Sequence, residues 1–269
     1  MKKAVLGVIL FIPLLSFAQL ADSVRRVVRL QGTVNFRDAG GYQTADGRQV
    51  TWDRVYRSAD ISHLTDEDLE ILKQRHIASV IDFRGVRESA VAPDRLPAGV
   101  RYLLCPAGSD SLPDPAQMAA LIKQGQFMEQ FYSNIKPLGA RYRPLFQQLL
   151  AMPEREAVLF HCTGGRDRTG MANALFLYAL GVPLTTIEAD FTASNTYLQP
   201  MYGKMFKGMS QATGLDTDTI RQALELRPEW LQRMFAAIKL QYGSIERFFA
   251  LELGVGPDEI ALLRKKYTH

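Results

Sequence analysis

The chain has 269 residues, of which 47% are hydrophobic and 22% are charged, with 32 Lys and Arg against 28 Asp and Glu. This is the composition of an ordinary globular protein, and it excludes the disordered, collagen-like and coiled-coil classes. The small positive charge comes without a basic run interleaved with aromatic residues, which argues against a nucleic-acid partner. Two cysteines are too few for a disulfide framework or a zinc ribbon.

Residues 1–18 have the pattern of a secretory signal peptide. Two lysines precede a mostly apolar run over residues 4–17, and a small-residue cleavage site ends at Ala18. The run is shorter than the roughly 18–20 residues of a membrane-spanning helix and contains Pro13, so an uncleaved anchor is the weaker alternative. We therefore predict a secreted or periplasmic protein with no stable membrane span after cleavage, whose mature chain, residues 19–269, forms a single domain with a net charge of +2.

Short apolar strands alternate with helical segments in the part of the chain that follows. Thr65 and the three acidic residues after it predict the start of a helix. Apolar runs predict strands at residues 78–83, 100–105 and 157–161. Such alternation is typical of an α/β protein with a mostly parallel central sheet flanked by helices.

The second half of the chain is predicted to be mainly helical. A helix is expected over residues 169–180 and is expected to stop at Gly181. From Ile187 onward the pattern is helical, and Pro228 falls in the first turn of one helix. An apolar stripe at helical spacing follows, which we interpret as core packing and not as a cofactor site. Its members are Trp230, Leu231, Met234, Phe235 and Ile238.

Residues 160–170 read Phe-His-Cys-Thr-Gly-Gly-Arg-Asp-Arg-Thr-Gly, so that a predicted strand ends, a glycine-containing loop turns and a helix begins. The backbone N–H groups of such a loop and the positive end of the helix dipole form a binding site for a phosphate dianion. Cys162 opens this loop, and the same field favours its thiolate form.

Arg168 lies six positions after Cys162, where the loop meets the helix. Its planar guanidinium can bind two oxygens of a phosphoryl group while the thiolate attacks from the opposite side. Gly164 and Gly165 allow the backbone to approach the phosphate closely. The predicted phosphate-binding loop consists of Thr163, Gly164, Gly165, Arg166 and Arg168.

The sequence His-Cys, five residues, and Arg-Thr-Gly resembles the signature loop of cysteine-dependent protein tyrosine phosphatases. Other segments resemble the bacterial tyrosine/serine protein phosphatase family over about residues 22–267. They are Asn35-Phe36-Arg37-Asp38, Gly40-Gly41, residues 54–59, Leu64-Thr65, residues 80–84, Ala189-Asp190-Phe191, Ser194-Asn195 and Tyr242-Gly243-Ser244. The resemblance implies a protein-tyrosine-phosphatase-like fold with a helical C-terminal part. It also implies a phosphoric monoester hydrolase that forms a phosphocysteine intermediate, and hence a single phosphatase domain over residues 19–269.

The same resemblance implies a role for each loop residue. Cys162 is expected to be the nucleophile, and Arg168 is expected to bind the phosphate and the transition state. Thr169 is expected to hydrogen-bond the cysteine sulfur, and His161 is expected to support the thiolate from the strand. No cofactor is implied, and no metal site is expected because the four histidines form no ligand spacing.

The general acid has several candidates. Asp82 ends a predicted parallel strand and is expected at the same carboxyl edge of the sheet as the loop. Asp167 lies inside the loop itself. Asp110 and Asp114 lie where more conventional tyrosine phosphatases have a mobile-loop acid. We favour Asp82 over the others, although it has an alternative role as a helix cap or as an ion-pair partner of Arg84 or of another nearby arginine.

Arg166 is a departure from the family pattern, which usually has lysine at this position. In related lipid phosphatases that lysine contacts a further inositol phosphate, so the substrate is predicted to be a phosphorylated protein or a phosphoinositide. An inositol phosphate phosphatase, including one for phytate, is an alternative function. Another is a non-catalytic phosphate-binding module, but the presence of both Cys162 and Arg168 argues against it. Arg166 has the alternative role of a solvated charge.

Cys105 ends a predicted strand, and the favoured interpretation is a buried thiol without a chemical role. The alternative is a reversible disulfide between Cys105 and Cys162 that protects the nucleophile from overoxidation.

Overall fold

The computed structural model describes residues 23–110 and 113–269, so the predicted signal peptide lies outside the described residues. The strands are β1 (Arg37–Asp38), β2 (Val55–Ser58), β3 (Ile77–Asp82), β4 (Arg101–Leu104) and β5 (Ala157–His161). The helices are α1 (Ser23–Arg26), α2 (Asp66–Gln74), α3 (Val86–Val91), α4 (Pro115–Lys123), α5 (Phe127–Ser133), α6 (Leu138–Ala151), α7 (Asp167–Ala179), α8 (Leu184–Tyr197), α9 (Gln199–Thr213), α10 (Thr217–Leu224), α11 (Pro228–Tyr242), α12 (Ile245–Phe248) and α13 (Pro257–Tyr267). A π-helical turn at Phe249–Leu253 lies between α12 and α13.

The five strands form one sheet in the order β1-β2-β5-β3-β4. All neighbours pair in parallel except β1, which runs antiparallel to β2 at one edge. The register places His161 at the end of β5 beside Ser58 on one side and Asp82 on the other. The predicted α/β class with a mostly parallel sheet is confirmed. The carboxyl ends of β2, β5 and β3 therefore meet where the Cys162 loop begins.

The sheet is buried on both faces, because successive residues of a strand point to opposite sides. Val80 and Leu159 belong to one apolar cluster, together with Leu72 of α2. Ile81 and Phe160 belong to a larger cluster, which includes residues of α6, α7 and the C-terminal helices. Helices therefore cover both faces of the sheet. Polar groups of the sheet are expected at the carboxyl ends of its strands.

The local signals in the sequence correspond closely to the observed elements. Thr65 caps α2, because its side chain accepts the N–H of Asp68 and the Asp68 carboxylate accepts the N–H of Thr65. The predicted strand at 157–161 is β5. The helix expected from Thr169 begins two residues earlier, at Asp167, since an acidic residue is favourable in the first turn of a helix.

The apolar stripe of α11 lies in the core, as expected, because Leu231, Met234 and Ile238 are fully buried and Phe235 is nearly so. None of the helices within residues 23–110 and 113–269 combines the length and the apolarity that crossing a bilayer requires.

Candidate active site

The loop after β5 is held from behind by donors that occupy its carbonyl groups. Asn35 Nδ2 donates to the carbonyl oxygens of Gly164, at 3.1 Å, and Gly165, at 2.9 Å. Arg57 Nη2 also donates to the Gly165 oxygen, at 2.9 Å. Within the described residues, the N–H groups of residues 163–166 donate no hydrogen bond to another residue. These N–H groups are therefore available to an anion.

Gly165 is the loop position where a side chain does not fit. Its φ is +60°, and a Cβ there would collide with the Ser58 backbone of the neighbouring strand. Gly164 differs, because a Cβ at that position would meet only the Arg166 side chain, at 3.5 Å. The close packing of the loop on β2 therefore depends on one of the two predicted glycines.

A buried ion-pair network beneath the loop is centred on Asp190 of α8. Its carboxylate accepts from Arg57 Nη1 at 2.6 Å and from Arg37 Nε at 3.2 Å. Tyr42 and Asn173 donate to the same carboxylate, at 2.8 and 2.7 Å. Burial would by itself raise the pKa of Asp190, but the two arginines hold it far below its usual range. Asp190 thus stays ionised and fixes the Arg57 guanidinium that supports the loop.

Arg168 is oriented by Glu88 at the start of α3. Arg168 Nη1 donates to Glu88 Oε2 at 2.7 Å, and Nη2 donates to Glu88 Oε1 at 3.2 Å. The Arg168 guanidinium also donates to the Phe83 carbonyl oxygen and to the Thr163 hydroxyl, both at 3.1 Å. This two-point pairing fixes the plane of the guanidinium beside the loop.

The Arg168–Glu88 pair shifts the pKa values of both partners. Burial would raise the pKa of Glu88, but the hydrogen bonds and charge of Arg168 lower it to about 2. Burial would lower the pKa of Arg168, but its electrostatic interactions with Cys162 and Glu88 raise it above its usual value. Both partners are therefore charged at neutral pH.

Cys162 is buried except for the face that it turns to a cavity of about 580 Å³. The cavity floor also includes Thr163, Gly164, Arg166 and Arg168. Its walls are mainly apolar and come from α4, α5 and α9. The apolar wall residues include Met118, Leu121, Phe127, Phe131, Met205 and Met209. A thiol, an arginine and free loop N–H groups therefore meet at the bottom of an apolar cavity.

Among the described residues, neither Thr169 nor His161 forms a side-chain hydrogen bond with Cys162. Thr169 is fully buried. Its hydroxyl has no hydrogen-bond partner among the described residues, so it does not bond the Cys162 sulfur as expected. His161 is buried under the loop, and its Nε2 lies 2.8 Å from Asp94 Oδ2. This hydrogen bond to a carboxylate holds the imidazole in one orientation beneath Cys162.

Asp167 faces the cavity, and its carboxylate accepts hydrogen bonds from two nearby side chains. Tyr132 donates its hydroxyl to Asp167 Oδ1 at 2.8 Å, and Arg166 Nε donates to Oδ2 at 2.9 Å. Arg166 also donates to the Leu224 carbonyl oxygen at 2.8 Å and is buried. Arg166 therefore lines the cavity as a buried, ion-paired residue, and the alternative interpretation as a solvated charge is wrong.

Asp82, the favoured sequence candidate for the acid, lies at the predicted sheet edge but outside the described lining of the cavity. Its carboxylate is fully buried, accepts from Arg84 Nε and Nη2 at 2.8 to 3.0 Å, and also accepts from the Tyr102 hydroxyl. Burial would raise the pKa of Asp82, but His161 and Arg84 lower it. The geometry corresponds to the alternative role of Asp82 as an ion-pair partner of Arg84.

The two mobile-loop candidates act as helix caps. Asp110 accepts the N–H groups of Val86 and Arg87 at the start of α3. Asp114 accepts the N–H groups at the start of α4, as the N-cap of that helix. Neither carboxylate lies among the described residues that line the cavity.

Asp82, Asp94 and His161 form a cluster of potential metal ligands whose ligand atoms lie within 4.8 Å of one another. Arg84 Nη2 donates to both carboxylates, at 2.8 Å to Asp82 and 2.6 Å to Asp94. The arginine supplies the positive charge that a cation would bring, so these side chains form an ion-pair cluster and do not fit a cation.

Cys105 and Cys162 are both free, buried thiols, and they directly follow β4 and β5, two strands that are not neighbours. Each follows the residue that pairs with Asp82 of β3, so the β3 backbone runs between them. Two strand spacings separate their Cα atoms by roughly 9–10 Å, and a disulfide needs less than about 7 Å. Burial raises the pKa of the Cys105 thiol to about 11, which disfavours its thiolate.

Some residues of the site escaped the sequence reasoning. Asn35, Arg57 and Asp190 belong to segments that resemble the family, but nothing in the sequence predicts that they support the loop from behind. Glu88 was missed completely. Its signal is weak, because a glutamate in the first turn of a helix is explained by capping alone, and Glu88 also accepts the N–H of Gly85.

Comparison with known proteins agrees with this geometry. A family model described as the tyrosine phosphatase family matches residues 28–269. A Cupriavidus necator protein named as a tyrosine-protein phosphatase is 30% identical over 247 residues, which cover 87% of this chain and 85% of the relative. A tyrosine-protein phosphatase of Nostoc commune is 30% identical over 220 residues, covering 79% of this chain and 73% of the relative.

The triple specificity protein phosphatase PtpB of Mycobacterium tuberculosis is 27% identical over 257 residues, covering 81% of this chain and 91% of PtpB. Among solved structures, P. aeruginosa TpbA matches with 19% identity and a TM-score of 0.32, covering 68% of this chain and 96% of TpbA.

An α/β sheet with a Cys-x5-Arg loop at its carboxyl edge defines a cysteine-dependent phosphatase that hydrolyses phosphate monoesters. Within that class, this chain belongs to the tyrosine phosphatase family and is a protein tyrosine phosphatase.

Proposed function

We propose that Cys162 is the nucleophile, that Arg168 binds the phosphate, and that phosphotyrosine in proteins is the substrate. The observation that supports this most directly is that Cys162, Arg168 and the loop share the floor of one cavity. Because Glu88 holds both Nη atoms of Arg168, the guanidinium plane is already set before a phosphate binds. Such preorganisation is the main contribution of a protein to phosphoryl transfer.

The reaction proceeds in two displacements at phosphorus. The Cys162 Sγ lone pair forms an S–P bond, the P–O bond to the tyrosyl oxygen breaks, and a carboxyl proton passes to that oxygen. A water molecule then attacks the phosphocysteine, its proton passes to the same carboxylate, and the S–P bond breaks to release phosphate and the thiolate. Arg168 binds two phosphoryl oxygens in both steps.

We assign the acid and base role to Asp167. It is the only carboxylic acid among the described residues that line the cavity. Tyr132 and Arg166 hold its two oxygens at the cavity wall. Asp82 is less suited, since its carboxylate is fully buried, accepts from four donor atoms and lies outside the described lining of the cavity. A positioned acid contributes about 10²–10⁴-fold to such a reaction.

The apolar walls support an aromatic phosphate monoester as substrate. A phosphotyrosyl ring would contact residues such as Phe131 and Met209, whereas inositol hexakisphosphate would place several phosphates against the same apolar surface. The name of the tuberculosis relative states a triple specificity. We propose that phosphoserine and phosphothreonine are also hydrolysed here, but more slowly, because their shorter side chains bury less apolar surface.

Two variants test these roles. Cys162→Ser should abolish turnover of p-nitrophenyl phosphate and trap no phosphoenzyme, yet retain phosphate binding measured by calorimetry.

Asp167→Asn should slow the hydrolysis of phenyl phosphate by about 10²–10⁴-fold. It should slow the hydrolysis of p-nitrophenyl phosphate far less, because the nitrophenolate leaves without a proton. The same selective loss in Asp82→Asn and not in Asp167→Asn would reverse the assignment of the acid.

We further propose that residues 1–18 are removed and that the mature protein is secreted or periplasmic, supported by the charged, apolar and small-residue pattern of that segment. The intact mass of the protein from fractionated cells and medium should then correspond to a chain beginning at Gln19. A full-length chain in the cytoplasmic fraction would contradict export.

A further inference from the structure

Arg141 of α6 is a buried charge on the wall of the active-site cavity. It is 4% exposed, and its Nη2 donates to the Ala107 carbonyl oxygen at 2.5 Å and to the Ser109 hydroxyl at 3.4 Å. Its Nε is buried and has no hydrogen-bond partner among the described residues. Within the same described ranges, no carboxylate forms an ion pair with this guanidinium.

This arrangement differs from that of other buried arginines near the site. Arg57 pairs with Asp190, Arg84 pairs with Asp82, and Arg166 pairs with its neighbour in the loop. An arginine keeps its proton at physiological pH, so it does not escape the cost of burial by becoming neutral. A buried charge normally has a counter-charge, and two neutral oxygens do not supply one.

The groups around Arg141 make a polar patch on an otherwise apolar wall. Gly108 and Ser109 line the cavity with Arg141, at the turn that follows β4. The backbone there has positive φ values, +22° at Ala107 and +77° at Gly108. Gly108 adopts a positive φ without strain, whereas Ala107 does so at a cost, as is typical of segments that position a functional group. The wall residues of this patch face the same cavity as Cys162.

We propose that Arg141 binds a second anionic group of the substrate, separate from the phosphate that reacts at Cys162. Among phosphotyrosyl peptides and other phosphate monoesters, the preferred substrates are then those with a second anionic group, such as a carboxylate or another phosphoryl group. The bound anion supplies the counter-charge that Arg141 lacks within the described residues. The inference depends on the proposed function, because the first phosphate is taken to lie at Cys162.

The experiment compares ω-carboxyalkyl phosphates of increasing chain length with alkyl phosphates of the same length. The leaving-group chemistry is nearly constant along both series, so differences in kcat/KM report binding. For the wild-type enzyme, the carboxylated member should be preferred at one chain length, which reports the separation of the two anion sites. A charge-assisted hydrogen bond corresponds to a preference of about 10- to 100-fold. No preference at any length would overturn the proposal.

Substitutions at Arg141 distinguish binding of a second anion from structural support of the turn that follows β4. Arg141→Met should remove the preference, and Arg141→Lys should keep part of it because the charge remains. Arg143→Met is the matched control, since it removes the same charge from an exposed position on α6 that binds only the backbone carbonyls of Leu251 and Glu252. It should keep the full preference. An equal loss for carboxylated and plain substrates in Arg141→Met would assign Arg141 to the turn alone.

The two proposals fail in different ways. If wild-type enzyme hydrolyses no alkyl or aryl phosphate, the proposed function is wrong. If it hydrolyses the plain esters but treats the carboxylated esters alike, only the second anion site is wrong. Because the wild-type comparison is decisive by itself, misfolding of an Arg141 variant would not protect the proposal.

Discussion

Gly164 and Gly165 are adjacent in the loop after β5, but only Gly165 has a positive φ and a backbone neighbour that a side chain would strike. The sequence assigned the same role to both, because the pair as a whole is typical of such loops. The difference comes from β2, whose Ser58 backbone packs against one glycine and not the other. The spacing of residues in the sequence does not reveal the contact between Gly165 and the Ser58 backbone.

Gly165→Ala should therefore lower the free energy of unfolding by about 1–3 kcal/mol, the range for a strained backbone position, and should lower kcat/KM by displacing the loop. Gly164→Ala is the matched control and should change both quantities little. Denaturant unfolding and assays with p-nitrophenyl phosphate measure the two effects. Equal effects in the two variants would contradict the packing argument.

Glu88 gives a pH-dependent contribution to stability, because pairing with Arg168 lowers its pKa from 4.5 to about 2. A carboxylate with a lowered folded pKa stabilises the fold fully above its unfolded pKa, and this contribution is lost as the pH falls towards the folded pKa. Wild-type protein should therefore exceed Glu88→Gln in stability at pH 6–7, and the difference should shrink between about pH 4.5 and 2.

Thermal unfolding of wild type and Glu88→Gln across this pH range measures the difference. Glu70→Gln serves as a control, because Glu70 is an exposed residue whose ion pair with Lys73 lies on the surface. A constant difference between wild type and Glu88→Gln at all pH values would mean that the carboxylate charge is not the cause.

At the scale of elements, the site depends on how α8 is joined to the sheet. Asp190 of α8 connects to Arg37 of β1 and Arg57 of β2, and Arg57 in turn holds the loop at Gly165. The sequence predicted that each of these segments belongs to the fold. It did not predict that a helix far along the chain supplies the charge that keeps two strand arginines in place, since only the packing of α8 brings them together.

Asp190→Asn should lower the free energy of unfolding by about 3–5 kcal/mol, because two arginines would be left buried without their counter-charge. Activity should fall as well, since Arg57 would no longer be fixed behind the loop. Glu188→Gln, on a less buried face of α8, should have little effect on either quantity. Unchanged unfolding of Asp190→Asn in urea would show that the network does not stabilise the loop support.

At the scale of the whole molecule, the sheet order separates the two cysteines. Cys105 follows β4 and Cys162 follows β5, with β3 between them. Peroxide should therefore oxidise Cys162 without forming a disulfide to Cys105. Cys105→Ala should be inactivated by peroxide at the wild-type rate, and peptide mapping without reductant should find no cross-link. A cross-linked peptide that contains both residues would contradict this prediction.

The sequence alone determined the features that depend on neighbouring residues. The cap at Thr65, the strand over 157–161 and the Cys162–Arg168 loop follow from local chemistry, because capping, alternation and a strand-loop-helix signature are contained in short stretches of chain. The central sheet followed from the alternation of strands and helices.

The tertiary structure decided which distant groups share a surface. Asp82 forms an ion pair with Arg84, and Glu88 forms one with Arg168. Arg141 lies on the cavity wall without a carboxylate partner among the described residues. The direction of a side chain and its burial depend on strand order and helix packing, which are properties of contacts between segments far apart in the chain. The two cysteines illustrate both parts: their positions in the sequence indicated that Cys162 is the proposed nucleophile, and the strand between them decided that they stand apart.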